Sequence, residues 1–328
     1  IYRNMVLTND ESVKDVAYVI FDEVHYINDV ERGYVWEESI IYSPKNVRFL
    51  CLSATIPNAK QFSEWIQAIK EHPVETVTSD FRVVPLKHQF YDYELGITSL
   101  KKIKDRIEED RDVPRYEKIR HRGKRSRRIS IPKPDHIKLI KELGPDKLPC
   151  LFFSFSRKDC QLKAKEMSIS KVFMTNTKII SFVNKRMMDW PGEVKQLSST
   201  RTLKESLSHG IGFHHAGLLP MMKELVEDLF TQGSIKVLYT TETFAVGINM
   251  PAKTVCFNSL RKYDGISFRN LNTKEYFQIA GRAGRRGIDK EGFVVSMIYR
   301  PTFKYQEVKK LTFKDVEPIK SQFKLSIN

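Results

Sequence analysis

Five short apolar runs, most of them closing on a polar residue, recur along this chain and confine it to one broad class of fold. Residues 16–21 lead into Asp22, 47–52 into Ser53, 151–155 into Ser156 and 235–239 into Thr240, and 293–298 form the fifth run. Runs that stay apolar, without alternating, read as parallel strands buried on both faces. Between them lie stretches with apolar residues at helical spacing and a proline near the start. Examples are Phe62, Trp65, Ile66 and Ile69 after Pro57, and Met222, Leu225, Val226 and Leu229 after Pro220. Strands alternating with such helices predict an α/β fold whose parallel sheets are covered on both sides. Ligands then bind at the carboxyl ends of the strands, where the polar residues fall.

A chain of 328 residues can bury two cores of ordinary size. Apolar residues make up 41% of it, yet no run approaches the length that spans a bilayer, and no signal peptide opens it, so no membrane role is expected. Cys51, Cys150, Cys160 and Cys256 show no CxxC spacing and mostly sit in apolar runs. They are expected to be reduced thiols, which points to a reducing, cytoplasmic compartment. A net charge of +15 suits a partner rich in phosphates, although ribosomal proteins and binders of acidic membranes share such a balance.

The alternating pattern breaks at 101–138, where fifteen Lys/Arg face seven Asp/Glu around the run HRGKRSRR. The expected organisation is therefore a first lobe at 1–85, a basic linker or insert at 86–147, a second lobe at 148–300 and a further element at 301–328.

Three segments carry candidate chemistry. The strand AYVIFDEVHYI delivers Asp22 and Glu23 to a strand end, with His25 just beyond. An aspartate there can hold Mg2+ through its water shell, and the adjacent glutamate can orient and deprotonate a water; alone, the pair could equally be a solvated strand end. Ser53-Ala54-Thr55 closes the next run with two small hydroxyls, able to relay hydrogen bonds or simply to form a turn. In QIAGRAGRRG, Arg282 and Arg285 are three apart. On one helical face they would present two guanidiniums together, while Gly281 and Gly284 remove bulk nearby. Such a pair suits a transferring phosphoryl group, or a basic face on nucleic acid.

In order, DEVH, SAT, GIGFHHAGLLP, YTTETFAVGINMPAKTV and QIAGRAGRRG resemble motifs II, III, IVa, V and VI of the superfamily 2 helicases. The forms HHAGLLP, TETFAVGINMP and RKYDG resemble the superkiller-like DExH-box branch, which includes exosome-associated RNA helicases. The resemblance implies two RecA-like parallel-sheet lobes, with ATP hydrolysed between them and translocation from 3′ to 5′ along RNA. It makes Asp22 the Mg2+ carboxylate and Glu23 the water-activating base, with His25, Ser53 and Thr55 as a coupling relay. Gln278, Arg282 and Arg285 become sensors of the γ-phosphate, and Gly247 and Asn249 lie near the nucleotide. Thr241 would touch the strand backbone, and Ser154, Ser156, His214, His215 and Gly217 would line the nucleic-acid face. Zinc is not expected at His214-His215, because adjacent histidines point apart and no third ligand is near in sequence. The implied partners are single-stranded RNA, or an RNA duplex with a single-stranded tail, and an RNA-decay complex.

The chain departs from the family pattern in one respect: no GxxxxGK[ST] occurs, and Gly123-Lys124-Arg125 lacks both the spacing and the hydroxyl. The phosphate-cradling loop is expected upstream of Ile1, and SQFKLSIN resembles the start of a downstream helical region, so both ends look cut. Two alternatives stay open: a DNA helicase of the repair type, which shares HHAGL and GRAGR, and a nucleic-acid-binding scaffold with a retired ATPase.

Overall fold

The computed structural model describes residues 1–29, 32–54, 56–79, 81–112, 131–247, 250–312 and 318–322. The chain divides into two compact units, Ile1–Phe81 with Asp315–Asn328, and Arg82–Lys314.

The first unit runs α1 (Tyr2–Leu7), β1 (Tyr18–Phe21), α2 (Tyr34–Tyr42), β2 (Arg48–Cys51) and α3 (Ala59–Lys70). β1 and β2 pair in parallel from Tyr18 opposite Arg48 to Phe21 opposite Cys51. Exposure alternates along both strands and leaves Tyr18, Ile20 and Leu50 at least half exposed. Among the described residues this pair is thus half covered, whereas the apolar runs predicted burial on both faces. Lys70, a residue only 2% exposed, closes α3, and its ammonium donates to the carbonyls of Ser43 (2.6 Å) and Ile41 (3.4 Å) at the end of α2. Helix ends leave such carbonyls without partners, and a buried amine supplies donors. Burial pushes the Lys70 amine down to about 8.

Residues 318–322 run against this unit. The Asn58 carboxamide donates to the Ile319 carbonyl (2.9 Å) and accepts from its amide (2.8 Å). Glu37 accepts from Ser321 and from the Gln322 amide. The described part of this segment is not helical, while the region expected to be helical beyond residue 301 does carry a helix at Tyr305–Thr312.

The second unit runs β3 (Leu86–Asp92), β4 (Gly96–Thr98), α4 (Leu100–Asp112), α5 (His136–Leu143), β5 (Cys150–Phe153), α6 (Arg157–Ile169), α7 (Thr177–Met187), α8 (Gly192–Gln196), α9 (Ser198–Ser208) and β6 (Ile211–His214). It continues through α10 (Pro220–Thr231), β7 (Val237–Thr240), α11 (Glu242–Gly247), β8 (Thr254–Phe257), β9 (Arg261–Tyr263), β10 (Phe268–Asn270), α12 (Thr273–Ala280), β11 (Gly292–Met297) and α13 (Tyr305–Thr312). Seven strands form one sheet in the order β4-β3-β11-β8-β5-β7-β6, parallel except for β4. β5, β6, β7, β8 and β11 are buried at every position, the signature of a sheet covered on both faces. On α10, Met222, Leu225, Val226 and Leu229 are all buried, as their spacing predicts.

The boundary expected near residue 148 moves. Residues 86–112, expected within the linker, carry β3, β4 and α4, and β3 pairs with β11 from Leu86 opposite Gly292 to Tyr91 opposite Met297. LKHQFYD is too polar to read as a core strand, yet it joins the sheet beside β11. Arg300, just after β11, fastens the far end of β3. It donates to both Asp92 oxygens (2.8 and 2.7 Å) and to Glu94 (2.9 Å), with Asp92 fully buried. The centre of the basic segment, 113–130 with HRGKRSRR, lies outside the described residues. No helix among the described residues is long and apolar enough to cross a membrane. All four cysteines are free thiols, with Cys150, Cys160 and Cys256 buried.

Candidate active site

In the first unit, β1 ends by delivering Asp22 and Glu23. Asp22 is exposed, and its Oδ1 accepts the Glu23 amide (2.9 Å). Glu23 adopts a left-handed backbone (φ 52°) that turns the chain from β1 into the short helical turn Val24–Asn28. Such a conformation costs a non-glycine residue free energy and is held here by its surroundings. The Val24 amide donates to the Leu52 carbonyl (2.9 Å), so the turn is stitched to the end of β2.

His25 is buried behind this pair. Its Nδ1 lies 3.2 Å from Ser53 Oγ, 3.4 Å from the Ala54 amide and 3.2 Å from Glu23 Oε2. A backbone amide donates only to an unprotonated Nδ1, whereas a carboxylate favours a protonated one. Nδ1 thus sits between the end of β2 and Glu23. Thr55 lies outside the described residues. One exposed carboxylate suits Mg2+, which keeps most of its water and takes phosphate oxygens besides.

In the second unit, the candidate residues gather at the carboxyl ends of β5, β6 and β7 and around the end of α12. Ser154 follows β5 but is fully buried, its hydroxyl without a protein partner among the described residues, so the expected surface contact is a core position in this conformation. The Ser156 side chain caps α6 by accepting from the Asp159 amide (3.3 Å). His214 and His215 are buried in different settings. His214 Nε2 is 2.8 Å from Glu227 Oε1 on α10. The Gly217 amide donates to His215 Nδ1 (3.2 Å), and His215 Nε2 lies 2.9 Å from Gln161 Nε2. Burial, reinforced by the nearby charge of Arg157, pushes His215 down to about 4, so the ring is neutral. Among the described residues no cluster of three His, Cys, Asp or Glu is placed to hold a metal. Thr240 donates to the His214 carbonyl (2.9 Å), and the Thr241 and Thr243 hydroxyls are 2.9 Å apart at the start of α11. Gly247 ends α11, and Asn249 lies outside the described residues.

The two arginines are not on a helical face. α12 carries Gln278 and stops at Ala280, and Arg282 and Arg285 follow in a turn. The turn is needed because Ala283 bridges Ala252 and Gly284 takes φ +82°, both incompatible with a continuing helix. Arg82 fastens it from outside, donating to the carbonyls of Gly281 (3.0 Å) and Ala283 (2.9 Å). Arg282 Nε donates to the Ala245 carbonyl in the last turn of α11 (3.0 Å). Arg285 grips Asp289.

The motif strings do not name Glu227, Asp289 or Arg82. Asp289 had a usable signal, its four-residue spacing from Arg285. Glu227 and Arg82 had none, because their partners lie 13 and about 200 residues away.

Residues 2–62 match the DEAD/DEAH box helicase family and residues 151–287 the helicase conserved C-terminal domain. The chain is 42% identical to the DExH-box ATP-dependent RNA helicase DExH9 of Arabidopsis thaliana over 91% of its length, covering 32% of that protein. It is 40% identical to the exosome RNA helicase MTR4 of Homo sapiens over its whole length, covering 32% of that protein. Superkiller complex protein 2 of Homo sapiens is 35% identical over 99% of the chain, which covers 28% of that relative. The chain thus spans about a third of the length of these curated relatives. With its helicase motifs in order on one half-covered strand pair and one seven-stranded, mostly parallel sheet, the chain belongs to the superkiller-like branch of the superfamily 2 DExH-box helicases.

Proposed function

We propose that this chain carries hydrolytic and strand-gripping parts of an ATP-dependent RNA helicase that translocates from 3′ to 5′ in RNA processing or decay. The observation that carries the reading is the exposed Asp22 beside the half-buried Glu23 at the end of β1, backed by the buried His25. The names of the relatives support it, since DExH9 and MTR4 are both named RNA helicases.

Bound ATP with Mg2+ would supply the phosphoanhydride whose hydrolysis drives movement. Asp22 would hold the ion through water, and Glu23 would orient and deprotonate the attacking water. His25 would report the state of Glu23 to Ser53 and Thr55. In the second unit Gln278, Arg282 and Arg285 would neutralise charge on the γ-phosphate, with Gly247 and Asn249 beside the nucleotide. Thr241, the exposed Gly217 and the segment around Ser154, Ser156, His214 and His215 would face the RNA backbone. The partner is single-stranded RNA or a tailed duplex, with an RNA-decay complex as the wider setting, in a cytoplasm that keeps the thiols reduced.

The test is unwinding by the full-length protein of a duplex with a 3′ single-stranded RNA tail, beside its all-DNA counterpart. The expected result is ATP-dependent strand release from the RNA substrate, lost in Glu23→Gln. Release from DNA alone would overturn the assignment to RNA.

A further inference from the structure

α11 begins one residue after Thr241 and ends at Gly247, so it joins the proposed strand contact to the proposed nucleotide contact. It is tied to α12 at both ends. At its last turn the Ala245 carbonyl accepts from Arg282, beyond the end of α12. At its first residue, Glu242, the tie runs through a third element, the β9–β10 hairpin. Lys262 of β9 places its ammonium 2.7 Å from Glu242 Oε2 and 2.8 Å from Glu275 Oε1 in the first turn of α12.

The Lys262 side chain is only 12% exposed, so its ammonium has given up much of its water and depends on both carboxylates. Glu275 is the more heavily committed of the two. It also accepts from Arg269 through both oxygens (2.7 and 2.9 Å) and from the Asn272 amide (2.9 Å), completing the cap of α12. Burial alone would raise the Glu275 carboxyl, but these donors together outweigh it and hold it at about 2. Among the described residues Glu242 has no such second set of donors, and its side chain is 43% exposed. Removing Lys262 would therefore leave the α12 cap and the Arg269 pair in place and cut only the link to α11.

We propose that Lys262 is a positioning residue that transmits strand occupancy at Thr241 to the turn carrying Arg282, by bridging Glu242 of α11 to Glu275 of α12. A six-residue helix is roughly 9 Å long and too short to bend, so held at both ends it moves as a bar with α12. A shift at Thr241 then reaches Arg282. The proposal rests on the helicase reading above, which puts Thr241 on the RNA and Arg282 on the nucleotide.

The experiment uses the full-length protein, single-stranded oligoadenylate as the RNA, and the variants Lys262→Met, Glu242→Gln, their combination and Lys262→Arg. ATP turnover without RNA and oligoadenylate affinity without nucleotide should stay within about twofold of the parent, while maximal stimulation by RNA falls about tenfold. The double variant should be no worse than either single one, because both cut the same link. Lys262→Arg should restore most of the stimulation. Full stimulation in Lys262→Met and in Glu242→Gln overturns the proposal, and so does a loss of basal turnover in step with stimulated turnover, which marks a merely structural role. A parent protein whose turnover ignores RNA overturns the helicase reading along with it. A parent that responds to RNA, with variants that respond equally, overturns the link alone.

Discussion

Arg285 holds both carboxylate oxygens of Asp289, Nε on Oδ2 at 2.8 Å and Nη2 on Oδ1 at 2.9 Å, and the Arg285 amide adds a third bond at 2.9 Å. The Asp289 side chain is 3% exposed, so this is a seated fork and not a surface pair. The hydrogen bond from Arg285 is the largest cause holding the Asp289 carboxyl below its ordinary range, and the same bond raises Arg285. A planar guanidinium oriented in this way keeps its remaining N–H groups aimed in fixed directions.

Arg285→Lys is accordingly expected to be nearly as damaging as Arg285→Ala. A point charge reproduces neither the grip on Asp289 nor a fork aimed at phosphate oxygens, and loss of such a group lowers turnover by about 10³-fold or more. Steady-state ATP hydrolysis of both variants in the full-length protein measures this. Near-parent turnover in the lysine variant would return Arg285 to the class of ordinary surface charges.

Glu23→Gln should leave ATP and RNA affinities close to those of the parent while hydrolysis falls about 10²- to 10⁴-fold, because the base is lost and the Asp22 carboxylate stays. Binding titrations run beside turnover separate the two effects. A parallel loss of binding and turnover would make Glu23 a structural residue of the turn that follows β1.

Gly284→Ala should destabilise the second unit. A Cβ there would stand 2.5 Å from Val84 Cγ1, and φ is +82°. Overpacking of this kind costs about 1–3 kcal/mol, with the unfavourable backbone in addition. Adding Val84→Ala should relieve the clash but not the backbone strain, so the double variant should melt between the single variant and the parent. A melting curve for Gly284→Ala that overlays the parent would contradict the turn geometry.

Stability should decline in mild acid before any carboxylate matters. Burial, with the charge of Arg82 beside it, pushes His88 down to about 4 from the ordinary 6.5, and His215 is pushed down equally far. Burial also lowers His136 and His214 against the pull of Glu166 and Glu227. A folded-state value below the unfolded one means that the stabilisation is complete above pH 6.5 and is lost as the pH falls toward 4. The slope approaches about 1.4 kcal/mol per pH unit for each such histidine. Urea unfolding at pH 7, 6 and 5 reads this directly, and equal stability at all three would refute it.

Much of the architecture is legible along the chain. The runs ending at Asp22, Ser53, Ser156 and Thr240 became β1, β2, β5 and β7, and the spacing after Pro57 and Pro220 became α3 and α10. These signals are local, since a strand or helix buried on a known face writes its period into adjacent residues. β6 and β8 are buried just as fully, but GIGFH opens on glycine and TVCF is too short to stand out, so only pairing with β7 and with β5 and β11 makes them strands. β3 was hidden for the opposite reason: Lys87, His88 and Gln89 make it polar, and it is recruited by a partner two hundred residues away.

The candidate chemistry divides along the same line. Which residues carry charge, and in what order, is written in DEVH and GRAGR. Which charge meets which partner is not, because Arg300 reaches Asp92 across 208 residues and Lys262 reaches Glu242 and Glu275 from opposite directions along the chain. Arg282 and Arg285 were expected on one helical face, and the pairing of Ala252 with Ala283 and the positive φ of Gly284 put them in a turn instead. Sequence determined the inventory and the local periods, since those depend on neighbours within one or two turns. Only the assembled tertiary structure determined the partners, because a side chain is desolvated, and compelled to find a counter-charge, only once distant segments have packed over it.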